Sequence, residues 1–300
     1  MKVTRTILPP EFDFTQGNLQ DYVDCAYRFY LRYIKRVKWP ALVVDDAAEF
    51  EQRLQAGAHF HRLIQQYLVG IPEARISEMV AALSSSFSAT STDLATWWDR
   101  FLNHVPPMLD GQTYVETTLA TSLAGQRLVA KYDLILLTTD HRLIIFDWKT
   151  SNKAPRVDWL LDRLQTKLYS FILAQLCTSS ALSNFLGGQT KSNLSVEPEQ
   201  ITMNYWFVSQ PATPVTLPYN QTAYRQDQEH LSRLVNHIRT AKPESFYRTS
   251  DLKQCRYCVY RSHCDRGIEA GNLSEFEDFD SDLDSLDTKI SFEDIPEIKF

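Results

Sequence analysis

Long apolar runs are missing from this 300-residue sequence. The longest, such as Leu134 to Leu137 and Leu143 to Phe146, are much shorter than the roughly 20 residues that a membrane-spanning helix requires. The start of the chain also lacks the basic-then-apolar layout of a secretion signal. A composition of 44% hydrophobic and 23% charged residues is typical of globular proteins and excludes disorder throughout. We therefore expect a soluble cytoplasmic protein with no membrane partner.

Cysteine is scarce as well, and its distribution excludes a secreted disulfide framework. The chain has five cysteines, an odd number, and three of them lie between residues 255 and 264. Cys255, Cys258 and Cys264 provide three thiolates within ten residues, and Cys25 is the natural fourth ligand from the other end of the chain. Cys177, inside an apolar segment, is more typical of a small buried core residue. The pattern predicts a four-cysteine metal site.

Basic residues are outnumbered overall, since the formal net charge is −6. Residues 275–300 alone contain ten Asp or Glu and two Lys, a net charge of −8, which leaves +2 for the other 274 residues. We expect residues 271–300 to form an acidic, flexible tail. The tail either keeps the protein soluble or covers a basic groove when no substrate is bound.

The hydrophobic pattern predicts an α/β or α+β fold, with a mixed central sheet covered by helices. A strand meander in the middle of the chain is separated from one later strand by a helix. A loop is predicted at 182–199. The predicted helices are 21–39, 47–68, 92–108, 157–177 and 223–240, and the predicted strands are 114–121, 127–138, 143–150 and 200–209.

Two carboxylates and a lysine stand at the centre of this pattern. Asp133 lies on one predicted strand, and Asp147 and Lys149 lie on the next, two residues apart and therefore on one face. Carboxylates are hard oxygen ligands for Mg²⁺ or Mn²⁺, and a lysine can orient water or stabilise phosphate charge. An exposed Asp147–Lys149 ion pair is the simpler alternative. However, Asp147 follows the apolar run Leu143 to Phe146, where an unpaired carboxylate would be costly.

These residues resemble the PD-(D/E)XK nuclease superfamily, in its RecB-like branch of CRISPR-associated exonucleases and recombination-helicase nucleases. The matching motifs are Leu54-x-x-Gly57-x-x-x-His61, Asp133, Asp147-Trp148-Lys149-Thr150 and Gln165-x-x-x-Tyr169. The resemblance implies a restriction-endonuclease-like core. It departs from the family in one place, because family members often have a glycine shortly before the first Asp, whereas this chain has Val129 to Tyr132.

The resemblance also implies roles for individual residues. His61, Asp133, Asp147 and the Trp148 backbone carbonyl would hold Mg²⁺ or Mn²⁺, and Lys149 would be the catalytic lysine. Gln165 and Tyr169 would support the site and contact DNA, and Glu116 matches a glutamate that often precedes this core. The simpler alternatives are a partly buried helix histidine at 61, with His59 as a competing candidate, and ordinary helix packing at 165 and 169.

For the cysteines, spacing alone fits either a tetrahedral zinc or an iron–sulfur cluster. RecB-like nucleases with one early and three late cysteines bind a [4Fe-4S] cluster, so the resemblance favours that group over structural zinc. His263 is a further candidate zinc ligand. The implied layout is one nuclease domain over 1–270, with a catalytic core at 47–240 and cluster-forming segments at 21–39 and 250–266. The cluster would tie the two ends of the domain together.

Cations and aromatic rings alternate in both cluster-forming segments, as in channels that bind single-stranded DNA. The alternative is a solvated helix face. Together with Tyr169, the candidate DNA-binding residues are Arg28, Arg32, Lys35, Arg36, Arg256 and Arg261, interleaved with Tyr27, Tyr30, Tyr33, Trp39, Tyr257 and Tyr260.

The predicted function is a metal-dependent deoxyribonuclease that acts on single-stranded DNA or DNA ends in recombination, repair or CRISPR adaptation. The alternative is a catalytically silent subunit that binds DNA or serves as a scaffold in a helicase or CRISPR complex. Because His61, Asp133, Asp147 and Lys149 are all present, the sequence favours activity. The sequence has no phosphate-binding G-x-x-x-x-G-K-[ST] motif, so any helicase motor must come from a partner.

Overall fold

The computed structural model describes residues 7–9, 11–38, 47–84, 94–151, 155–177, 196–255 and 258–266, and only the backbone of residues 47–54. Predictions for Trp39, Arg256, Tyr257, most of the segment 182–199 and the acidic tail lie outside these ranges. Within them, no helix has the length and apolar character that crossing a membrane would require.

A six-stranded mixed sheet forms the centre of the fold. Strand β3 pairs antiparallel with β2 along its length, antiparallel with β4 near its end and parallel with β1 near its start. Strand β5 is parallel to β4 and antiparallel to β6. The strands are β1 (Asp13–Phe14), β2 (Gly111–Leu123), β3 (Gln126–Thr138), β4 (Leu143–Lys149), β5 (Ile201–Phe207) and β6 (Val215–Pro218). The predicted mixed sheet with flanking helices is confirmed.

Eight α-helices surround the sheet in the described part of the chain. They are α1 (Gln16–Asp24), α2 (Ala26–Phe29), α3 (Ala47–Leu68), α4 (Glu73–Ser84), α5 (Leu94–His104), α6 (Val157–Asp162), α7 (Leu164–Cys177) and α8 (Gln221–Thr240). A π-helical turn, Tyr30–Ile34, extends α2. Helices α6 and α7 connect the parallel strands β4 and β5, which need such a crossover.

Two segments that were each predicted to form one continuous helix are broken in the structure. The helix predicted at 21–39 begins earlier, after the N-cap Thr15, and breaks at Cys25, whose φ of −161° and ψ of 103° are extended. The helix predicted at 157–177 breaks at Arg163, whose ψ is 141°. Apolar spacing continues across both breaks, which is why periodicity alone does not reveal them. Helix α4 and strands β1 and β6 were not predicted.

Two hydrophobic clusters cover the sheet. On β4, Leu143 and Ile145 belong to the first cluster with α7 and α8, while Phe146 and Trp148 belong to the second with α3, α4 and α5. Alternate residues of a strand point to opposite faces, so the clusters lie on the two sides of β4. Consequently β4 is buried on both faces along almost its whole length.

The pair β2–β3 changes face in the middle. On β3, Leu128, Ala130 and Tyr132 lie in the first cluster, but beyond Asp133 it is Ile135 that joins this cluster and Leu134 that joins the second. Glu116, opposite Asp133 in the register of β2, has a φ of +49°. A left-handed residue inside a strand is strained and re-aims the side chains that follow it. Both strands therefore turn over at Glu116 and Asp133, which means that the alternation of their side chains between the two faces of the sheet is reversed beyond this point.

Candidate active site at the ends of the central strands

The register of β3 and β4 places the two predicted carboxylates side by side. Leu134 pairs with Phe146, and one further step in this register sets Asp133 opposite Asp147. The backbone N–H of Trp148 donates to Asp133 Oδ2 at 2.9 Å. Because the indole of Trp148 is buried in the second cluster, its backbone is fixed against the Asp133 carboxylate.

Asp147, Lys149 and Gln165 form a buried triad. Lys149 Nζ lies 3.0 Å from Asp147 Oδ2, and Gln165 Nε2 donates to Asp147 Oδ1 at 2.6 Å. Lys149 also donates to Gln165 Oε1 at 3.2 Å. The three residues are only 5%, 8% and 1% exposed. This burial rules out the exposed ion pair on a strand face, because the charges are held together away from bulk water.

His61 approaches the same place from α3. Its Nδ1 lies 3.4 Å from Asp133 Oδ1. Burial raises the pKa of the Asp133 carboxyl, but His61, the Trp148 N–H and Lys149 together outweigh burial and lower that pKa below its usual value. The carboxylate is thus held in its charged form, as a cation ligand must be.

Glu116 lies opposite Asp133 on the neighbouring strand. Its carboxylate is 2.5 Å from Lys131 Nζ, and its side chain is 16% exposed. Structure thus places Glu116 beside the site, but paired with a lysine rather than with His61 or Asp147.

Tyr169, one turn beyond Gln165 on α7, is 3% exposed. Its ring packs on Tyr132 with centroids 4.9 Å apart, and its carbonyl accepts a hydrogen bond from the Tyr132 hydroxyl at 2.9 Å. This placement favours the supporting role predicted for Tyr169. A contact with DNA would require the ring to leave the core.

Two supporting residues were missed by sequence reasoning. Thr166 Oγ1 lies 2.8 Å from the Tyr205 hydroxyl and donates to the Leu160 carbonyl at 2.6 Å. Lys149 Nζ lies 5.8 Å from the centroid of the Tyr205 ring. Burial raises the pKa of Tyr205, which keeps this hydroxyl neutral. No sequence signal identified Tyr205, since it reads as an ordinary alternating strand residue.

The donor set suits a divalent cation by its chemistry. The two carboxylates, from β3 and β4, are the ligand type that Mg²⁺ and Mn²⁺ prefer, and the imidazole from α3 adds a nitrogen donor beside them. As they stand, the described residues include no group of three or more His, Cys, Asp or Glu arranged to hold an ion. Each Asp147 oxygen contacts Gln165 or Lys149, and each Asp133 oxygen contacts Trp148 or His61.

Comparison with known families decides the assignment. The sequence model of the PD-(D/E)XK nuclease superfamily matches residues 13–265, most of the chain. The chain belongs to this superfamily. It is therefore assigned as a nuclease, and the assignment implies that it binds nucleic acid. Nucleases of this superfamily generally use Mg²⁺ or Mn²⁺.

Similarity to individual proteins is remote. The crystal structure of SSO0001 has 12% identity and a TM-score of 0.33, covering 86% of this chain and 87% of that one. A protein from Eubacterium rectale, named as a candidate exonuclease, has 9% identity and a TM-score of 0.46, covering 82% and 88%. No curated protein matches the sequence.

In this superfamily member, the four predicted cysteine ligands line one pocket. Cys25 stands at the break between α1 and α2, and Cys255, Cys258 and Cys264 lie in the short turns of the C-terminal segment. The Tyr260 hydroxyl donates to the Val37 carbonyl at 3.1 Å, joining the two segments directly. All five cysteines of the chain are free thiols. Exposed His263 is not among the residues that line the pocket, and Cys177 is buried in the core, as predicted.

Arginines surround this cysteine pocket. Arg266 donates to Cys255 Sγ at 2.7 Å, and Arg248 donates to the Cys264 carbonyl at 3.1 Å. Burial raises the thiol pKa of Cys258 and of Cys264, while Arg28 and Arg248 respectively oppose the rise. Positive charge of this kind favours thiolates, the metal-binding form of cysteine, but burial outweighs it and the pKa of both thiols stays above the usual value.

The predicted DNA-binding arginines mostly face inward. Arg28 and Arg32 form ion pairs with the buried Asp21, at 2.8 and 3.1 Å, and Arg261 is 3% exposed. Lys35 and Arg36 are exposed. Of the cations predicted to contact DNA in the described segments, these last two are placed to meet a phosphate without breaking an ion pair.

Proposed function

We propose that this chain is a metal-dependent deoxyribonuclease of the RecB-like branch, which cuts single-stranded DNA or DNA ends. The observation that carries the proposal is the buried triad of Asp147, Lys149 and Gln165 next to Asp133. Burying an acid and a lysine beside a second, half-buried acid is expensive, and a structural ion pair does not require the second acid. A metal-dependent site that cuts phosphodiester bonds has a use for all three.

The residues that would hold Mg²⁺ or Mn²⁺ are His61, Asp133, Asp147 and the Trp148 carbonyl. Such an ion would polarise the scissile phosphate and lower the pKa of a bound water. The Gln165 side chain fixes the Asp147 carboxylate, and the backbone N–H of Trp148 fixes the Asp133 carboxylate. Lys149, held by Gln165 and by the Tyr205 ring, offers a cation to the phosphate or its attacking water.

We also propose that Cys25, Cys255, Cys258 and Cys264 hold a [4Fe-4S] cluster, with structural zinc as the alternative. All four line one pocket, and four cysteine thiolates suit either group. The resemblance to RecB-like nucleases with one early and three late cysteines favours the cluster.

Cleavage of end-labelled single-stranded DNA by anaerobically purified protein tests the nuclease. We expect cutting with Mn²⁺ or Mg²⁺, and a loss of about 10²- to 10⁴-fold in Lys149→Ala. Lys149→Met, which keeps the buried stem, serves as the folding control, with thermal unfolding measured for both variants. Circular and linear strands of the same sequence separate internal cutting from end-dependent cutting.

Absence of cutting by folded, metal-loaded wild type would overturn the proposal. The chain would then be a catalytically silent DNA-binding or scaffolding subunit of a helicase or CRISPR complex. Iron and zinc analysis of the same preparation, together with its visible absorption, decides between the two groups at the cysteines.

A further inference from the structure

Helix α6 exposes an unusual amount of apolar surface close to the active site. Three of its four apolar residues are exposed: Val157 by 49%, Trp159 by 41% and Leu161 by 45%. The fourth, Leu160, is fully buried and anchors the helix. A six-residue helix with this composition leaves an indole ring in water, which folding alone does not explain.

Thr166 and Tyr205 connect this helix to the proposed catalytic lysine, Lys149. The Leu160 carbonyl accepts from Thr166 Oγ1, which also contacts the Tyr205 hydroxyl, and the Tyr205 ring lies beside Lys149 Nζ. Arg163, which separates α6 from α7, acts electrostatically on the same Tyr205 hydroxyl. The exposed indole is therefore held at a fixed position relative to the proposed scissile phosphate.

A cation lies against this indole. The guanidinium carbon of Arg163 is 4.6 Å from the centroid of the Trp159 ring. An aromatic ring next to a guanidinium combines a stacking surface with a phosphate-binding charge, the two features that hold an unpaired nucleotide.

Resting on the proposed function, we propose that Trp159 and Arg163 form a stacking site for an unpaired base of the DNA strand next to the cleaved bond. A protein partner is less suited to this surface. A stable protein interface buries about 800 Å² on each side, far more than three side chains of a six-residue helix can supply. One base, in contrast, covers one indole.

The test measures binding of labelled oligothymidylate to full-length Lys149→Ala protein, in which cleavage does not interfere. Replacing Trp159 by Leu removes the ring but keeps an apolar side chain, and we expect affinity to fall about 5- to 100-fold. Trp159→Phe keeps a ring and should stay within about 3-fold of the parent. Leu161→Ala is the control on the same helix, and should change affinity by less than about 2-fold, because an aliphatic side chain gives no stacking face.

A blunt-ended duplex, which has no unpaired base, is the second probe, and Trp159→Leu should leave its affinity unchanged. Equal losses for both probes, or equal affinities of the Leu and Phe variants for oligothymidylate, would overturn the stacking site. Wild-type cleavage measured in parallel keeps the two proposals distinct. If wild type cuts DNA but Trp159→Leu binds normally, only the stacking site fails, whereas the nuclease proposal fails if folded, metal-loaded wild type does not cut.

Discussion

The carboxylate site and the cysteine pocket are assembled in opposite ways. At the carboxylate site, Asp133, Asp147 and Lys149 lie within 17 positions of sequence on two paired strands, and direct contacts of 2.6 and 3.0 Å hold Asp147. At the cysteine pocket, Cys25 meets residues more than 200 positions later. The contacts there include isolated hydrogen bonds between the two segments, such as the one from the Tyr260 hydroxyl to the Val37 carbonyl.

The difference indicates what each region needs in order to form. Strand register alone brings the carboxylates together, since antiparallel neighbours align as soon as the strands pair. Bringing the chain ends together costs loop-closure entropy, which a bound metal can offset. We therefore expect the sheet to keep its site without the cysteine ligands, and the ends to loosen without them.

Cys258→Ser should have the largest effect on stability. Removing one of four ligands should release the metal and lower the unfolding temperature by roughly 10 °C. Hydrogen exchange should then rise in α1, α2 and the C-terminal turns, while the amides of β3 and β4 stay protected.

Cys177→Ala is the matched control, since Cys177 is a buried thiol on α7 outside the pocket. It should cost packing energy but leave metal content unchanged. Full metal content and stability in Cys258→Ser would contradict the comparison. So would loss of protection across β3 and β4, because the active site would then depend on the pocket.

Asp21→Asn should have the next largest effect, and it sharpens the comparison by testing what else holds the N-terminal segment. Asp21 is 5% exposed and accepts from Arg28, Arg32 and the Tyr33 hydroxyl. Removing its charge leaves two partly buried arginines without that partner, at a cost of about 3 kcal/mol of unfolding free energy in urea titrations.

The exposed pair of Arg75 and Glu78 supplies the control. Glu78→Gln should change unfolding free energy by less than about 0.5 kcal/mol. If Asp21→Asn also left the unfolding free energy unchanged but altered the affinity for single-stranded DNA, Arg28 and Arg32 would be DNA ligands instead of members of structural ion pairs.

Much of the fold was predictable because periodicity and residue type determine it locally. The boundaries of α3 match the prediction, and β3 and β4 agree to within a residue. The side-by-side placement of Asp133 and Asp147 followed from a short turn between alternating strands. Family motifs supplied His61 and Gln165, which no local pattern identifies.

The remaining features depend on tertiary context. The breaks at Cys25 and Arg163 interrupt continuous apolar spacing, and the turnover at Glu116 and Asp133 is a backbone event within regular strands. The sequence does not reveal that Asp21 meets both Arg28 and Arg32. One continuous helix was predicted over 21–39, whereas the helix breaks at Cys25, between Asp21 and the two arginines.

The smallest predicted effect concerns Asp227 on α8, which is not part of the carboxylate site and does not line the cysteine pocket. It is 7% exposed and accepts from the Tyr219 hydroxyl at 2.9 Å. Burial raises its pKa to about 6, although the Tyr219 hydrogen bond and Lys167 oppose the rise. Since the folded protein holds this proton more tightly than the unfolded chain, the group's stabilising contribution is complete below about pH 4 and is lost as pH rises to about 6.

Asp227→Asn keeps an acceptor for Tyr219 but has no charge to bury. At pH 7.5 the variant should therefore be more stable than wild type by about 1 to 2 kcal/mol, a value reduced for partial solvent screening, and the gain should vanish near pH 4. Urea unfolding at the two pH values measures the difference. The gain should be the same in the Cys258→Ser background, because sites without shared contacts contribute additively. A gain that depended on Cys258 would mean that the helix layer and the cysteine pocket unfold as one unit, against the separation inferred here.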